Sequence, residues 1–193
     1  ARSTAQASIT LVRDDRGIVP LRLDGGMTLA LIEFTQVRFS LVEEMKTSEL
    51  LTKEIRRRHG LIRPVSLGSP PPPDQATRAR QIARESDVII IATRNADLHP
   101  EQGRLVREIL ALGKPTAIMA LRNPYDLMAF PQAPTYLATY GDAPCSVEAV
   151  VQALFGELAP RGRLPVSIPG LYPIGHGLTR DRESLKGPAS RGG

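Results

Sequence analysis

The sequence is poor in the residue types that mark several common classes of protein. It has one cysteine, Cys145, no tryptophan and only 4% aromatic residues. A single cysteine excludes an internal disulfide and a cysteine-rich metal site. The three histidines, His59, His99 and His176, lie far apart without ligand-like spacing. We therefore expect neither a metal nor another cofactor.

Long apolar runs are also missing. The longest, residues 88–92, is far shorter than the ~18 residues that a membrane span needs and is typical of a buried strand. The chain begins Ala1-Arg2 without a basic or apolar leader, so no signal peptide is visible. The sequence thus predicts no membrane partner and does not indicate a compartment.

Positive charge is in excess, with a net charge of +5. The densest basic cluster, residues 53–59, lies at the end of a predicted helix, where cations complement the helix dipole. The few aromatic residues offer little surface on which nucleic-acid bases could stack. We interpret the cluster as a solvated helix terminus and expect no nucleic-acid partner.

Apolar runs and helical periodicity alternate along the chain and predict an α/β fold. The predicted strands are 28–34, 61–67, 87–93, 116–121 and 135–139, and the predicted helices are 48–59, 74–85, 100–112, 125–130 and 146–155. The run at 88–92 is typical of a central parallel strand, and Pro64 places its own strand at an edge. We predict a three-layer sandwich with a mostly parallel, flavodoxin-like sheet of about five or six strands.

The two ends of the chain follow a different pattern. Residues 1–8 are typical of the last turns of a helix, 9–12 of a flanking strand, and 166–168 of a late strand at the sheet edge. From about Arg180 the composition becomes polar, charged and rich in glycine. These patterns predict one domain over residues 1–178 and a poorly ordered polar tail over residues 179–193.

Motifs of common enzyme classes are absent from the sequence. No G-x-G-x-x-G follows the first strand, and there is no P-loop, no G-x-S-x-G elbow and no H-E-x-x-H. A dinucleotide site, a phosphate-binding loop, a serine-hydrolase centre and a zinc-protease centre are therefore unsupported.

Three segments resemble the second domain of family 3 glycoside hydrolases. Ser8–Leu21 (SITLVRDDRGIVPL) is similar to the entry into that domain, and Gly113–Leu127 (GKPTAIMALRNPYDL) to its fourth strand and asparagine-proline turn. Thr139–Leu178 resembles the closing signature of the family. The resemblance implies the C-terminal α/β domain of a two-domain enzyme of the β-N-acetylhexosaminidase type.

The resemblance also bears on activity. These enzymes use a carboxylate nucleophile and a separate proton donor, and in the family the nucleophile is an aspartate of the N-terminal barrel. The glucosidase branch takes its acid from a second-domain loop reading roughly G-x-E-x-E-G-x-D-R. The corresponding loop, Thr93–Gln102 (TRNADLHPEQ), is shorter and has no such run, and Glu101 falls at the start of the next helix. The hexosaminidase branch uses an Asp-His pair on the barrel, so the resemblance implies a companion domain without catalytic residues.

Open parallel sheets bind ligands beyond the carboxyl ends of their strands, where the strand order reverses. A strand order of 2-1-3-4-5 would put that crevice beside Glu33–Thr35. The residues that we expect to bind substrate or contact the barrel are Arg94, Asn95, Arg122, Asn123, Tyr125 and Asp126. The partner would be a catalytic barrel of the same or a separate chain, with carbohydrate or a homodimer through the exposed interface as further possibilities. The alternative function is a stand-alone flavodoxin-like module that binds a small ligand or sugar.

Overall fold

Six strands form one sheet in the computed structural model, which describes residues 1–35 and 41–180. They are β1 (Thr10–Asp14), β2 (Leu29–Phe34), β3 (Ile62–Leu67), β4 (Val88–Thr93), β5 (Thr116–Ala120) and β6 (Thr135–Ala138). The order across the sheet is β3-β2-β4-β5-β6-β1. Only the β1–β6 pair is antiparallel. The predicted, mostly parallel sheet is confirmed.

Helices cover both faces of this sheet. They are α1 (Arg2–Ser8), α2 (Leu41–Arg56), α3 (Pro73–Glu85), α4 (Pro100–Leu110), a 3₁₀ helix (Pro124–Ala129) and α5 (Pro144–Leu154). One core joins the sheet to α3, α4 and the 3₁₀ helix, and the other joins it to α1, α2 and α5. These three layers are the predicted sandwich. None of the helices described is long and apolar enough to cross a membrane.

The central strand explains why the domain has two cores. All six residues of β4 are buried, and successive side chains of a strand point to opposite faces. Ile89 and Ile91 enter the core under α3 and α4, whereas Ile90 and Ala92 enter the core under α2 and α5. A strand covered on both sides needs apolar residues at every position, which is the pattern that the sequence shows here.

The predicted bounds of the second helix are wrong. It begins at Leu41, before the predicted Ser48, and ends at Arg56, before the predicted His59. The third helix begins at Pro73, one residue before the predicted start, and Asp74 lies in its first turn. Proline is favoured at the first helical position because its φ is preset and its missing N–H would have no helical partner there. The tail predicted over residues 179–193 lies outside the described residues from 181 onward.

The strand predicted at 166–168 is also wrong. Only Ile168 makes a β-bridge, and its partner is the nearby Tyr172. Pro165 and Pro169 flank this segment and have no N–H to donate to a ladder. The edge strand is instead β1, which extends two residues beyond the predicted Val12.

The segment from Gly162 to Leu178 covers the outer edge of β1. The N–H of Gly162 donates to the carbonyl of Ile9 at 2.9 Å, and the N–H of Leu178 donates to the carbonyl of Leu11 at 2.7 Å. These contacts satisfy a carbonyl of β1 and the carbonyl just before it, which would otherwise belong to an open sheet edge. The glycine-rich closing segment therefore protects the sheet without adding a strand.

Gly162 is expected to tolerate no side chain. A Cβ at this position would collide with the backbone carbonyls of Ser8 and Ile9, and relieving such a clash costs about 1–3 kcal/mol. We expect Gly162→Ala to lower the free energy of unfolding by that amount in urea denaturation. Gly60→Ala is the control, because a Cβ there meets nothing within 4 Å. Equal stabilities of the two variants would contradict the close approach.

Candidate functional site

The carboxyl ends of β2, β4, β5 and β6 bring polar side chains to one edge of the sheet. The order of the five parallel strands, β3-β2-β4-β5-β6, is the 2-1-3-4-5 order on which the candidate residues depend. All six candidates follow β4 or β5 at this edge. The structure therefore brings them into two adjacent loops, 94–99 and 121–123, and the 3₁₀ helix.

Arg94 is buried, with 4% of its surface exposed. Its Nη2 donates to Glu33 Oε1 at 2.9 Å, its Nη1 donates to the carbonyl of Phe34, and its Nε lies 3.4 Å from Asp142 Oδ2. One guanidinium thus joins the end of β2 to the loop before α5. Glu33 and Asp142 were not among the predicted site residues.

Gln102 fixes the backbone of the same arginine. Its Nε2 donates to the Arg94 carbonyl at 2.9 Å, and its Oε1 accepts from the Arg94 N–H at 3.3 Å. Gln102 is 1% exposed. A two-way bond of this kind holds the start of the loop against the first turn of α4. The position of Gln102 in the predicted loop Thr93–Gln102 did not indicate this role.

Asp126 is completely buried beneath the β4–α4 loop. Its Oδ2 accepts from Thr93 Oγ1 at 2.5 Å and its Oδ1 accepts from the Ala96 N–H at 2.8 Å. Burial raises the pKa of this carboxyl to about 7, although both hydrogen bonds oppose the shift, and nearby Asp97 raises it further. Asp126, the candidate whose pKa is nearest to that of a general acid, therefore has no contact with solvent.

Two asparagines connect the loops above Asp126. Asn95 has φ +54°, a left-handed conformation that asparagine tolerates better than most residues. Asn123 Nδ2 donates to Asn95 Oδ1 at 2.9 Å, and Asn123 Oδ1 accepts from the Tyr125 N–H at 2.8 Å. Asn123 is thus the N-cap of the 3₁₀ helix as well as a bridge between loops.

Glu101 lies in the first turn of α4, where an acid favours the helix dipole. Its Oε1 accepts from Ser69 Oγ at 3.0 Å and lies 3.6 Å from His99 Nδ1. Among the side chains that the structure describes, residues 1–35 and 49–180, there is no group of three or more histidines, cysteines or acids that could hold a metal ion. The acid of the loop itself, Asp97, is exposed, and its Oδ1 accepts from Asn123 Nδ2 at 3.3 Å.

The outer surface of this edge is partly apolar. Leu98 is 70% exposed on the β4–α4 loop and Met128 is 46% exposed on the 3₁₀ helix. Arg122, in the loop after β5, is partly exposed, and its Nη1 lies 3.3 Å from Asp142 Oδ1. Single exposed apolar side chains are normal on protein surfaces, and methionine is a residue type that is enriched in protein interfaces.

A cavity of about 690 Å³ lies at the opposite, amino-terminal edge. Its walls are segment 17–23, Met27, Val88, Pro115 and the end of the described chain at Thr179 and Arg180. The residues of this lining include Arg22 and Arg180 but no acid. Size alone therefore does not make it a centre for hydrolysis.

Residues 9–184 match the family model described as the glycosyl hydrolase family 3 C-terminal domain. No curated protein matches the sequence. The match includes all six strands and extends six residues beyond the predicted domain end at Leu178.

Solved structures that are similar to this chain include family 3 glycoside hydrolases. A fungal multi-domain GH3 β-N-acetylglucosaminidase, described as having a GCN5-related glucosamine N-acetyltransferase region, is 29% identical with a TM-score of 0.77; the alignment covers 90% of this chain and 19% of that one. A family 3 β-N-acetylglucosaminidase from Paenibacillus sp. is 21% identical with a TM-score of 0.72, over 83% of this chain and 30% of that one.

A β-glucosidase from Listeria innocua, solved with isofagomine, is 13% identical with a TM-score of 0.72, over 92% of this chain and 33% of its own. The two matches below 25% identity show the fold alone. This chain spans between 19% and 33% of the length of these three structures.

Removing Arg94 is expected to leave a buried charge without a partner. Loss of one member of a buried pair costs about 3–5 kcal/mol, whereas replacing both by apolar residues is often neutral. We expect Arg94→Met to lower the free energy of unfolding by that amount and Arg94→Met with Glu33→Leu to recover at least half of the loss. Urea denaturation measures both.

The matched control is Arg80→Met. Arg80 Nε lies 2.7 Å from Glu108 Oε2 in a pair whose side chains are 36% and 42% exposed, and such surface pairs contribute only about 0–1 kcal/mol. Equal losses for Arg80→Met and Arg94→Met would show that burial of the Arg94 pair does not determine its effect.

Proposed function

This chain belongs to the glycosyl hydrolase family 3 C-terminal domains, and we propose that it is a non-catalytic companion domain. Its partner would be the catalytic barrel of a β-N-acetylglucosaminidase or β-hexosaminidase-type enzyme. That barrel would hydrolyse terminal sugars in carbohydrate or cell-wall glycan metabolism. The domain itself would pack on the barrel.

The burial and hydrogen bonding of the acids at the β4–α4 loop support this proposal most. Glycosidases need two carboxyl groups that flank the scissile bond. Asp126, whose pKa of about 7 would suit a general acid, is 0% exposed and cannot reach a glycosidic oxygen. Glu101 is hydrogen-bonded to Ser69 at the start of α4. The buried polar groups of this region, Arg94, Gln102 and Asp126, are engaged in bonds within the domain.

The comparison above 25% identity favours the amino-sugar branch of the family. The fungal β-N-acetylglucosaminidase is 29% identical, against 13% for the Listeria β-glucosidase. The missing glutamate run in the loop Thr93–Gln102 agrees with this preference. Both observations support the specificity that we propose.

The barrel-contacting face would be the carboxyl edge of the sheet. Domain interfaces within one chain bury about 600–1,500 Å² and are more polar than obligate dimer contacts. The exposed Leu98 and Met128, together with the polar Asn95, Arg122 and Tyr125 of the same loops and 3₁₀ helix, fit that composition. Among the six candidates, we propose that these last three contact the partner, while Arg94, Asn123 and Asp126 support them from beneath.

Docking is testable with the cognate catalytic barrel expressed separately. We expect calorimetry to detect binding with a Kd of ~100 μM or tighter, which corresponds to about −5.5 kcal/mol. Leu98→Asp should weaken binding at least ~10-fold, because it puts a charge into the apolar centre of the face. Leu61→Asp is the control, since Leu61 is 46% exposed just before β3, at the opposite edge.

The possible outcomes test the companion-domain role and the location of the docking face separately. Absence of binding at ~100 μM would contradict the companion-domain proposal. Binding that is weakened equally by the two leucine variants would retain the role and reject the carboxyl edge as its site. A small sugar that binds at this edge in the absence of any barrel would favour the alternative, a stand-alone binding module.

We expect the purified chain alone to hydrolyse neither aryl N-acetylglucosaminides nor aryl glucosides. The reason is that Asp126 is buried and that the loop Thr93–Gln102 lacks the glutamate run of the glucosidase branch. A chromogenic assay measures release of the aryl group. Turnover that disappears in Glu101→Gln would show that Glu101 is catalytic and would contradict the inactive assignment.

A further inference from the structure

The sheet has two outer strands, and only one of them is covered by another segment. The outer side of β1 bonds to the segment from Gly162 to Leu178. The other outer strand is β3, which pairs with β2 alone. Within the described part of the chain, its backbone bonds go to β2 and to the turn at Gly60. An outer strand presents N–H and C=O groups to any other strand and is a common site of association between sheets.

The register of β3 decides which of its residues face outward. The N–H of Leu29 donates to the carbonyl of Leu61 at 2.9 Å, and the N–H of Thr35 donates to the carbonyl of Leu67 at 2.8 Å. In a regular ladder, residues that bond to one neighbouring strand alternate with residues that face away from it. The odd-numbered residues of β3 therefore bond to β2, and the backbone groups of residues 62, 64 and 66 face away from the sheet.

Pro64 lies at the centre of this outward side and is exposed to solvent. Proline has no N–H, so the outward side lacks a donor at its centre. The N–H of Ile62, two residues earlier, is taken by the carbonyl of Gly60 at 3.0 Å. A proline at position 63 or 65 would instead remove a bond to β2. Position 64 thus removes a donor from the open side of the strand and leaves the ladder with β2 intact.

Apart from Pro64, the sequence of this strand favours pairing between sheets. Leu61, just before the strand, is 46% exposed, and Val65 is only partly buried. Arg63 is the only charged residue of β3, and its Nη1 lies 2.6 Å from Glu85 Oε2. An outer strand with exposed apolar residues and little charge is typical of a site of association.

The partner that fits this strand is a second copy of the same strand. Two copies of β3 that pair antiparallel about a two-fold axis present the same surface to each other. With the axis at residue 64, this residue lies opposite its counterpart, and the pair would exchange two N–H···O=C bonds. Proline removes both bonds at once, because neither copy has the donor.

We propose that the outward side of β3 is a self-pairing surface that Pro64 keeps closed. The residue prevents two copies of the domain from joining their sheets into one continuous sheet. Both outer strands are then protected, β1 by a covering segment and β3 by a single proline. The inference concerns the side of the sheet and does not depend on the proposed docking at the carboxyl ends of the strands.

Pro64→Val tests the proposal, because it restores the N–H with a residue that favours strands. Sedimentation equilibrium should give a weight-average mass at least ~1.3-fold above that of the wild-type chain at ~500 μM, as expected for a dimer Kd of about 1 mM or tighter. Hydrogen exchange locates the contact. The new N–H at position 64 should exchange at least ~1.3-fold more slowly at ~500 μM than at ~20 μM, whereas the N–H of Ile90 in the central strand should not change.

Two further variants isolate the cause. Pro64→Lys also restores the N–H but would place two like charges opposite each other, so we expect it to keep the wild-type mass. Val65→Pro removes an N–H that bonds to β2, so its urea midpoint should fall below that of Pro64→Val without a rise in mass.

The proposal is overturned if Pro64→Val keeps the wild-type mass at ~500 μM, or if its mass rises while exchange at position 64 does not slow. Equal urea midpoints for Pro64→Val and Val65→Pro would also overturn it, since position 64 would then not be the outward-facing one.

Discussion

A sheet covered by helices on both faces is the constraint on which the rest of this domain depends. Every residue of β4 is buried, and its backbone pairs with β2 on one side and β5 on the other. Polar side chains can therefore extend into loops only at the ends of the strands. Arg94 is the first residue after β4, and it contacts Glu33 and Asp142 directly at the end of that strand.

This constraint also explains which elements the sequence could predict. Strands buried on both faces appear as uninterrupted apolar runs, so β2 and β4 were placed to within one residue. Pro64 correctly indicated an edge strand, since β3 pairs with β2 alone. The prediction for segment 166–168 failed because its apolar residues resemble a strand, whereas in the structure the neighbouring Gly162 and Leu178 are the residues that bond to the sheet edge at Ile9 and Leu11.

The candidate site was predictable in location but not in detail. Topology sends residues that follow parallel strands to one edge, and the six candidates lie there. Their burial depends on partners that are distant in sequence. Glu33 lies 61 residues before Arg94, Asp142 lies 48 residues after it, and Asp126 lies 33 residues after Thr93. A polar residue in a predicted loop looks the same whether its partner is water or a buried acid.

The buried charges at this edge fix the direction of the chain more than they raise the free energy of unfolding. An apolar pair of similar size would be about as stable as Arg94 with Glu33, but it would not bind three oxygen atoms in fixed directions. The planar guanidinium does so, because its donors form a rigid fork. The chain therefore leaves β4 in one direction, and Gln102 fixes the next turn. Such rigidity is what a partner surface would require of this loop, since a preordered contact loses less entropy on binding.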